Sequence, residues 1–288
     1  MINKRSAAFI SKSRKYLLPI LKSLFGCQVV GMDKLQPQQQ YLLVGNHGVG
    51  VIIEGFMLLD AWEARFKGHP ICNVLAHRFF FSFPLISMMM NKVGCIPASY
   101  EASQKAFLEG HSVLVFPGGN YEAMRTYSER EICDFDQKKG WIKVALKNQV
   151  PIVPLSIAGS HFVNPNFVRS RVMSYVMILP ILFKVKWFPI SLSQVVYASL
   201  VAFVTSFFLP IWAVILLTYF TFGLGYLVPI WPAHVHAQIH EPIDLMSLNT
   251  ENKSVDELIL DSVFLQTCYD LVLATIQINM DRMNNVIR

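Results

Sequence analysis

The chain has 288 residues, enough for one large domain, and no polar linker near its middle divides it further. Hydrophobic residues make up 53% and charged residues only 15%, more apolar than an ordinary soluble domain. The formal charge of +6 suits anionic headgroups, carrier phosphates or nucleic acid. No recognition helix, aromatic-interleaved basic stripe or zinc-finger spacing supports nucleic acid, and five scattered cysteines without a CxxC pair exclude a disulfide framework and a thiolate zinc site.

In chain order, residues 1–30 carry Lys4, Arg5, Lys12, Arg14, Lys15 and Lys22 among apolar residues. They are expected to form a basic amphipathic segment in contact with a membrane rather than a signal peptide. Tyr41 to Gly45 is a compact apolar run. Asn46-His47-Gly48 then turns into a second apolar run containing Glu54 and Asp60, which reads as strand, turn and helix. Ile71 to Ala76 is the next strand, followed by His77-Arg78 and a phenylalanine cluster. Glu101 to Glu109 predicts a helix stopped by Gly110, and Val113 to Phe116 a central strand ending at Pro117-Gly118-Gly119. Lys139 to Asn148 is helical, and Val150 to Ile157 is a strand whose prolines suggest a sheet edge or an irregular strand.

From Trp187 to His240 there is no Asp, Glu, Lys or Arg. Leu192–Leu209 and Ile211–Val228 approach membrane-crossing length on either side of Pro210. Ala237 to His240 returns a short strand, and Ser254 with Glu257 forms a capping-box signal for a terminal helix. The expected architecture is α/β: a mixed central sheet flanked by helices, with a hydrophobic membrane-associated helical segment. Its expected parts are residues 1–30 (membrane contact), 31–186 (catalytic core), 187–230 (hydrophobic hairpin or helical pair) and 231–288 (completion of the core and terminal helix).

Chemistry concentrates at residues 46–54. A carboxylate on one imidazole nitrogen leaves the other free to take a proton from a hydroxyl, so His47 and Glu54 form a candidate base assembly, with Asp60 as an alternative orienter. Gly118 and Gly119 permit a tight turn and close approach of substrate. Arg78 offers several directed donors, and Arg125, Arg130, Lys138 and Lys139, with Arg130 and Lys139 foremost, form a second candidate phosphate-contact region. No GxSxG elbow, Walker motif or dinucleotide fingerprint is present, and His234, His236 and His240 lack the companions of a metal site.

The ordered blocks LLVGNHGVGVIIEG, LAHRFFFSFP, GCIPASYEASQKAFLEGHSVLVFPGGNYEAMR and KKGWIKVALKNQVPIVPLSIAG resemble the glycerolipid and lysophospholipid acyltransferase superfamily, especially its diacylglycerol-acyltransferase-like branch. The resemblance spans about residues 25–160 and resumes from Trp231 to Leu245. Many such enzymes carry an Asp at the fifth position after the His, where this chain has Ile52; Glu54 follows two positions later. The resemblance implies an O-acyltransferase that moves a fatty acyl group from a thioester, acyl-CoA or acyl carrier protein, to a lysophospholipid or acylglycerol hydroxyl, with no cofactor and no metal. It also implies that Glu122 positions an acceptor or braces a basic residue, that Arg78 contacts acceptor or donor phosphate, and that Gly118 and Gly119 form the family's proline-glycine turn. Membrane lipids are the expected partners, with the catalytic domain on the cytoplasmic side of a membrane. The alternative function is a non-catalytic lipid-binding or membrane-scaffold protein.

Overall fold

The computed structural model describes residues 5–49, 51–178 and 185–287, so Gly50 of the His47 motif lies outside the described residues. A seven-stranded sheet organises the chain. It uses β1 (Gln28–Val30), β2 (Leu42–Gly45), β3 (Cys72–Ala76), β4 (Cys95–Pro97), β5 (Ser112–Val115), β6 (Ile152–Ala158) and a late strand, His236–Ile239, which is β9. The order is β1-β9-β6-β2-β5-β3-β4, and every neighbouring pair is parallel except β6 with β9. The strands β7 (Asn166–Ser170) and β8 (Phe188–Ser191) form a separate antiparallel pair. The expected mixed α/β sheet is present.

Period-two alternation assigns the side chains of the central strands to two cores. On one face Leu42, Val44 and Ile152 pack against the helix Gly140–Asn148 and the terminal helix Ser262–Ile287. On the other, Tyr41, Leu43, Val153, Leu155 and Ile157 pack against the helix Val51–Phe66, through Ile53, Met57, Leu58 and Trp62. Strands β2 and β6 are buried at every position, as continuous apolar runs in a doubly covered parallel sheet should be.

Strand β6 is central, not at the edge its prolines suggest. Pro154 pairs with Val44 of β2, its carbonyl accepts from His240 N–H, and the ladder with β9 begins one residue later at Leu155. The missing N–H therefore falls where the β9 ladder ends. The capping box at Ser254 forms, but Asp261 breaks the terminal helix into Val255–Leu260 and Ser262–Ile287.

The membrane expectation requires correction. The apolar block folds into two helices of 15 residues, Leu192–Ser206 and Ile211–Gly225. At about 1.5 Å per residue each is roughly 22 Å long, short of the ~30 Å hydrocarbon layer. Ser191 starts the first helix, and Pro210 separates the pair; among the described residues no helix is long and apolar enough to cross a membrane. The transmembrane helices, the membrane-associated segment built on them and the placement of a catalytic domain on the cytoplasmic side of a membrane are withdrawn together. The base of this hairpin is fastened to the domain by buried polar groups: Ser193 donates to Gly225 O, its N–H donates to Asn164 Oδ1, and Asn164 Nδ2 donates to Tyr226 O.

Candidate active site

Three neighbouring parallel strands, β6, β2 and β5, deliver their carboxyl ends to one region, the position where open α/β sheets hold ligands. From β2 comes Asn46, 2% exposed, whose amide brackets Ile157 of β6. Nδ2 donates to Ile157 O at 2.8 Å, and Oδ1 accepts Ile157 N–H at 2.7 Å. This fixes the residue before His47 to the sheet.

The helix Val51–Phe66 then brings Glu54 back over the turn. Glu54 is fully buried, with Oε2 2.8 Å from His47 Nδ1 and Oε1 accepting Gly48 N–H at 3.0 Å. One carboxylate thus binds the imidazole and the loop that carries it. The ring stacks on Phe116, just past β5, with centroids 4.5 Å apart, and keeps about an eighth of its side-chain surface exposed. Gly48 is required by space: a Cβ there would overlap Ser160 Oγ and lie 2.7 Å from Glu54 Oε1.

The other side of the loop is held from the short helix Gly119–Ala123 and the residues after it. His47 N–H donates to Glu122 Oε2 at 3.0 Å, while Arg125 Nη2 donates to His47 O at 3.3 Å. Both backbone polar groups of His47 are therefore bound by side chains. Glu122 also accepts Asp134 N–H and lies 3.6 Å from Arg125. Complete burial pushes its carboxyl up to about 7, against the opposing pull of Arg125. Gly118 leaves room for the Glu122 side chain, and Gly119 takes a positive φ of 53°.

The remaining expected contacts are dispersed. Arg130 stacks over Tyr127 at 4.4 Å and donates to its carbonyl. Lys139, half-buried, immediately precedes the helix Gly140–Asn148. Arg78 lies in a different recess, with Ser82, Ser99, Glu101 and Lys105, that shares no lining residue with the His47 cluster. Asp60 pairs with Arg14 and Lys22, fastening the N-terminal helices to the outer face of Val51–Phe66, and Arg5 pairs with Glu63 beside them. His240 bonds Ser156 Oγ, and among the described residues no group of three His, Cys, Asp or Glu could hold a metal ion.

Several neighbours of His47 come from outside its own motif. Arg125, one of the expected phosphate-contact residues, stands three residues after Glu122 and binds the His47 loop instead. His161, just past β6, accepts from Arg125 Nη2 at 3.2 Å, and only the fold brings it there. Val49, Met124 and Tyr226 form a small apolar cluster with Val185, Trp187 and Leu227. Tyr226 ties the hairpin to this region by donating to Ala123 O.

Parts of the chain are similar to known proteins. Residues 26–158 match the family described as Acyltransferase. An uncharacterized protein of Mycobacterium tuberculosis is 28% identical over 178 residues, covering 62% of this chain and 48% of that protein. A Bos taurus protein described as "DGAT1/2-independent enzyme synthesizing storage lipids" is 29% identical over 130 residues, covering 45% and 38%. The solved 1-acyl-sn-glycerophosphate (LPA) acyltransferase PlsC from Thermotoga maritima aligns with a TM-score of 0.45 and 15% identity, covering 94% of this chain and 82% of that one. The chain spans about half the length of the mycobacterial relative and less of the bovine one. Residues 26–158, which hold β1 to β6 and the His47–Glu54 pair, are therefore the part of the chain that is similar to the Acyltransferase family.

Proposed function

We propose that this protein is an O-acyltransferase that moves a fatty acyl group from an acyl thioester to the hydroxyl of a glycerolipid or lysophospholipid, with His47 as general base. The observation that carries the reading is the 2.8 Å contact between His47 Nδ1 and Glu54 Oε2 at the carboxyl end of β2. Glu54 sits two positions beyond the usual acid, yet the first turn of its helix carries it to the ring. The contact holds the proton on Nδ1 and leaves Nε2 to accept one.

In the reaction His47 Nε2 removes the proton of the acceptor hydroxyl as its oxygen attacks the thioester carbonyl carbon. The tetrahedral intermediate collapses, the carbon–sulfur bond breaks, and the imidazolium returns the proton to the departing thiolate. Ester and free thiol are the products, and no acyl-enzyme is needed. The base contributes on the order of 10²- to 10⁴-fold, with positioning of the two substrates adding to it.

The bovine relative's description, an enzyme synthesizing storage lipids, supports a mono- or diacylglycerol as the first acceptor to test. Arg78, Arg130 and Lys139 are the cations that would meet the phosphate of a lysophospholipid or of the donor, which is acyl-CoA or acyl carrier protein. Gly118, Gly119 and Glu122 serve by shaping the turn and holding His47.

Purified protein incubated with either donor and a mixture of lysophospholipids and acylglycerols, read by mass spectrometry, tests the proposal. An acylated lipid made by the native protein and lost in folded His47→Ala is expected. Absence of any His47-dependent product with both donors would overturn it in favour of a non-catalytic lipid-binding role.

A further inference from the structure

The antiparallel pair β7–β8 ends in a small platform of aromatic rings and arginines. Its register matches Ser170 with Phe188, so the next step brings Arg171 opposite Trp187, and period two puts Arg169 on the same face. The contacts follow this pattern. The Arg171 guanidinium lies over the Trp187 ring at 4.6 Å, and that of Arg169 over Tyr121 at 4.1 Å and Trp187 at 5.2 Å. Tyr121 and Trp187 meet edge to face, with centroids 6.2 Å apart.

The two arginines are not equivalent. The Arg169 side chain is 12% exposed, donates from Nη1 to Tyr121 O at 2.8 Å and brings Nη2 to 3.6 Å from Glu129, so it fastens β7 to the helix Gly119–Ala123. Arg171 is exposed, and among the described residues its side chain has neither a hydrogen bond nor a carboxylate partner. Stacking covers one face of its guanidinium and leaves the N–H edge open. A permanently charged planar fork, held on an aromatic ring, suits the paired oxygens of a phosphate.

The platform adjoins the catalytic loop through two sets of contacts. The helix that carries Tyr121 also carries Glu122, which accepts His47 N–H. Trp187 packs against the apolar cluster of Val49, Met124 and Tyr226, and Val49 stands two residues after His47. An apolar wall therefore runs from beside His47 to Trp187, where the unpaired cation stands. No motif in the sequence marks that cation.

We propose that Arg171, stacked on Trp187, binds a phosphate group of the substrate whose other end reacts at His47. Two substrates carry such a group: a phosphorylated acceptor and a coenzyme A donor. The part played in transfer rests on the acyl-transfer reading, whereas the affinity for phosphate does not.

Binding is measured first, without turnover. Coenzyme A, a short-chain lysophosphatidate and the matching monoacylglycerol are titrated calorimetrically into native, Arg171→Gln and Lys147→Gln proteins. Lys147, exposed on the helix Gly140–Asn148, controls for the loss of one positive charge. Arg171→Gln is expected to weaken at least one phosphate-bearing ligand by about tenfold or more and to leave monoacylglycerol unchanged, while Lys147→Gln changes none. The weakened ligand names the source: lysophosphatidate the acceptor, coenzyme A the donor. Equal affinities in native protein and Arg171→Gln, an equal loss in Lys147→Gln, or no binding of either phosphate ligand by native protein overturns the site. Turnover then tests its part in transfer. The KM for the phosphate-bearing substrate is expected to rise by the same factor in Arg171→Gln with kcat unchanged, and neither to move when that substrate is exchanged for a monoacylglycerol or for an acyl-N-acetylcysteamine thioester. Equal rises with and without the phosphate overturn that part. A native protein that binds phosphate through Arg171 and transfers nothing sinks the acyl-transfer reading and leaves the site standing.

Discussion

Glu54 acts through His47 without reaching the reacting atoms. Replacing it with Gln leaves the shape but ends the charged hydrogen bond to Nδ1. The expected result is a fall in kcat of about 10²-fold or more with little change in KM, measured on whichever acceptor the native protein uses. Glu122 gives a separate signature in stability. Its folded pKa, about 7, lies above the ordinary carboxylate value of 4.5, so the folded state holds the proton more tightly. Stability from this group is full below about pH 4.5 and is lost as pH rises through about 7. At 1.36 kcal/mol per unit the loss is about 3 kcal/mol. Urea unfolding at pH 5 and pH 8 is expected to show this decline in native protein and not in Glu122→Gln; parallel declines in the two would refute it.

At the scale of elements, the turn after β2 is held by its neighbours rather than by its own propensity. Asn46→Ala would leave both polar groups of Ile157 buried without their side-chain partner. It is expected to cost about 2–4 kcal/mol in urea unfolding, with loss of activity in whatever fraction remains folded. The hairpin Leu192–Gly225 behaves differently. Phe207, Phe208 and Trp212 at its far end are 66%, 80% and 67% exposed, so replacing the three with Ser should barely move Tm while reducing self-association in light scattering. Strands β2, β3, β5 and β6 were legible because apolar runs bounded by Gly and Pro report burial directly. The central place of β6 was not, since Pro154 sits where the β9 ladder ends, which only pairing reveals. The hairpin's length was misjudged because hydropathy continues past Ser206, whereas the helix does not.

For the whole molecule, the acyltransferase character was legible in the order of motifs around His47, Arg78, Gly118 and Pro151. The partners that hold His47 were legible only in part. Glu54 lies within the same motif, whereas Glu122, Arg125, Ile157 and His161 arrive from 75 to 114 positions away, through a sheet whose closure no local pattern encodes. Since the site is made of sheet ends, amides of β2, β5 and β6 are expected to exchange hydrogen only on global unfolding. The outer half of the hairpin should exchange through cheaper local opening, measured by mass spectrometry on native protein.

The pairing of β1 with β9 has a consequence for biosynthesis. Residues 28–30 lie in parallel register with residues 236–238, and β9 also closes on β6. A nascent chain that has exposed the His47 motif, and even Ile157, still lacks the strand that seals this side of the sheet until some eighty further residues, including the apolar hairpin, have been made. Closing so long a loop is slow and rewarded only at the end. The ribosome therefore carries a partly open sheet beside newly made apolar helices, an interval in which a chaperone has most to protect.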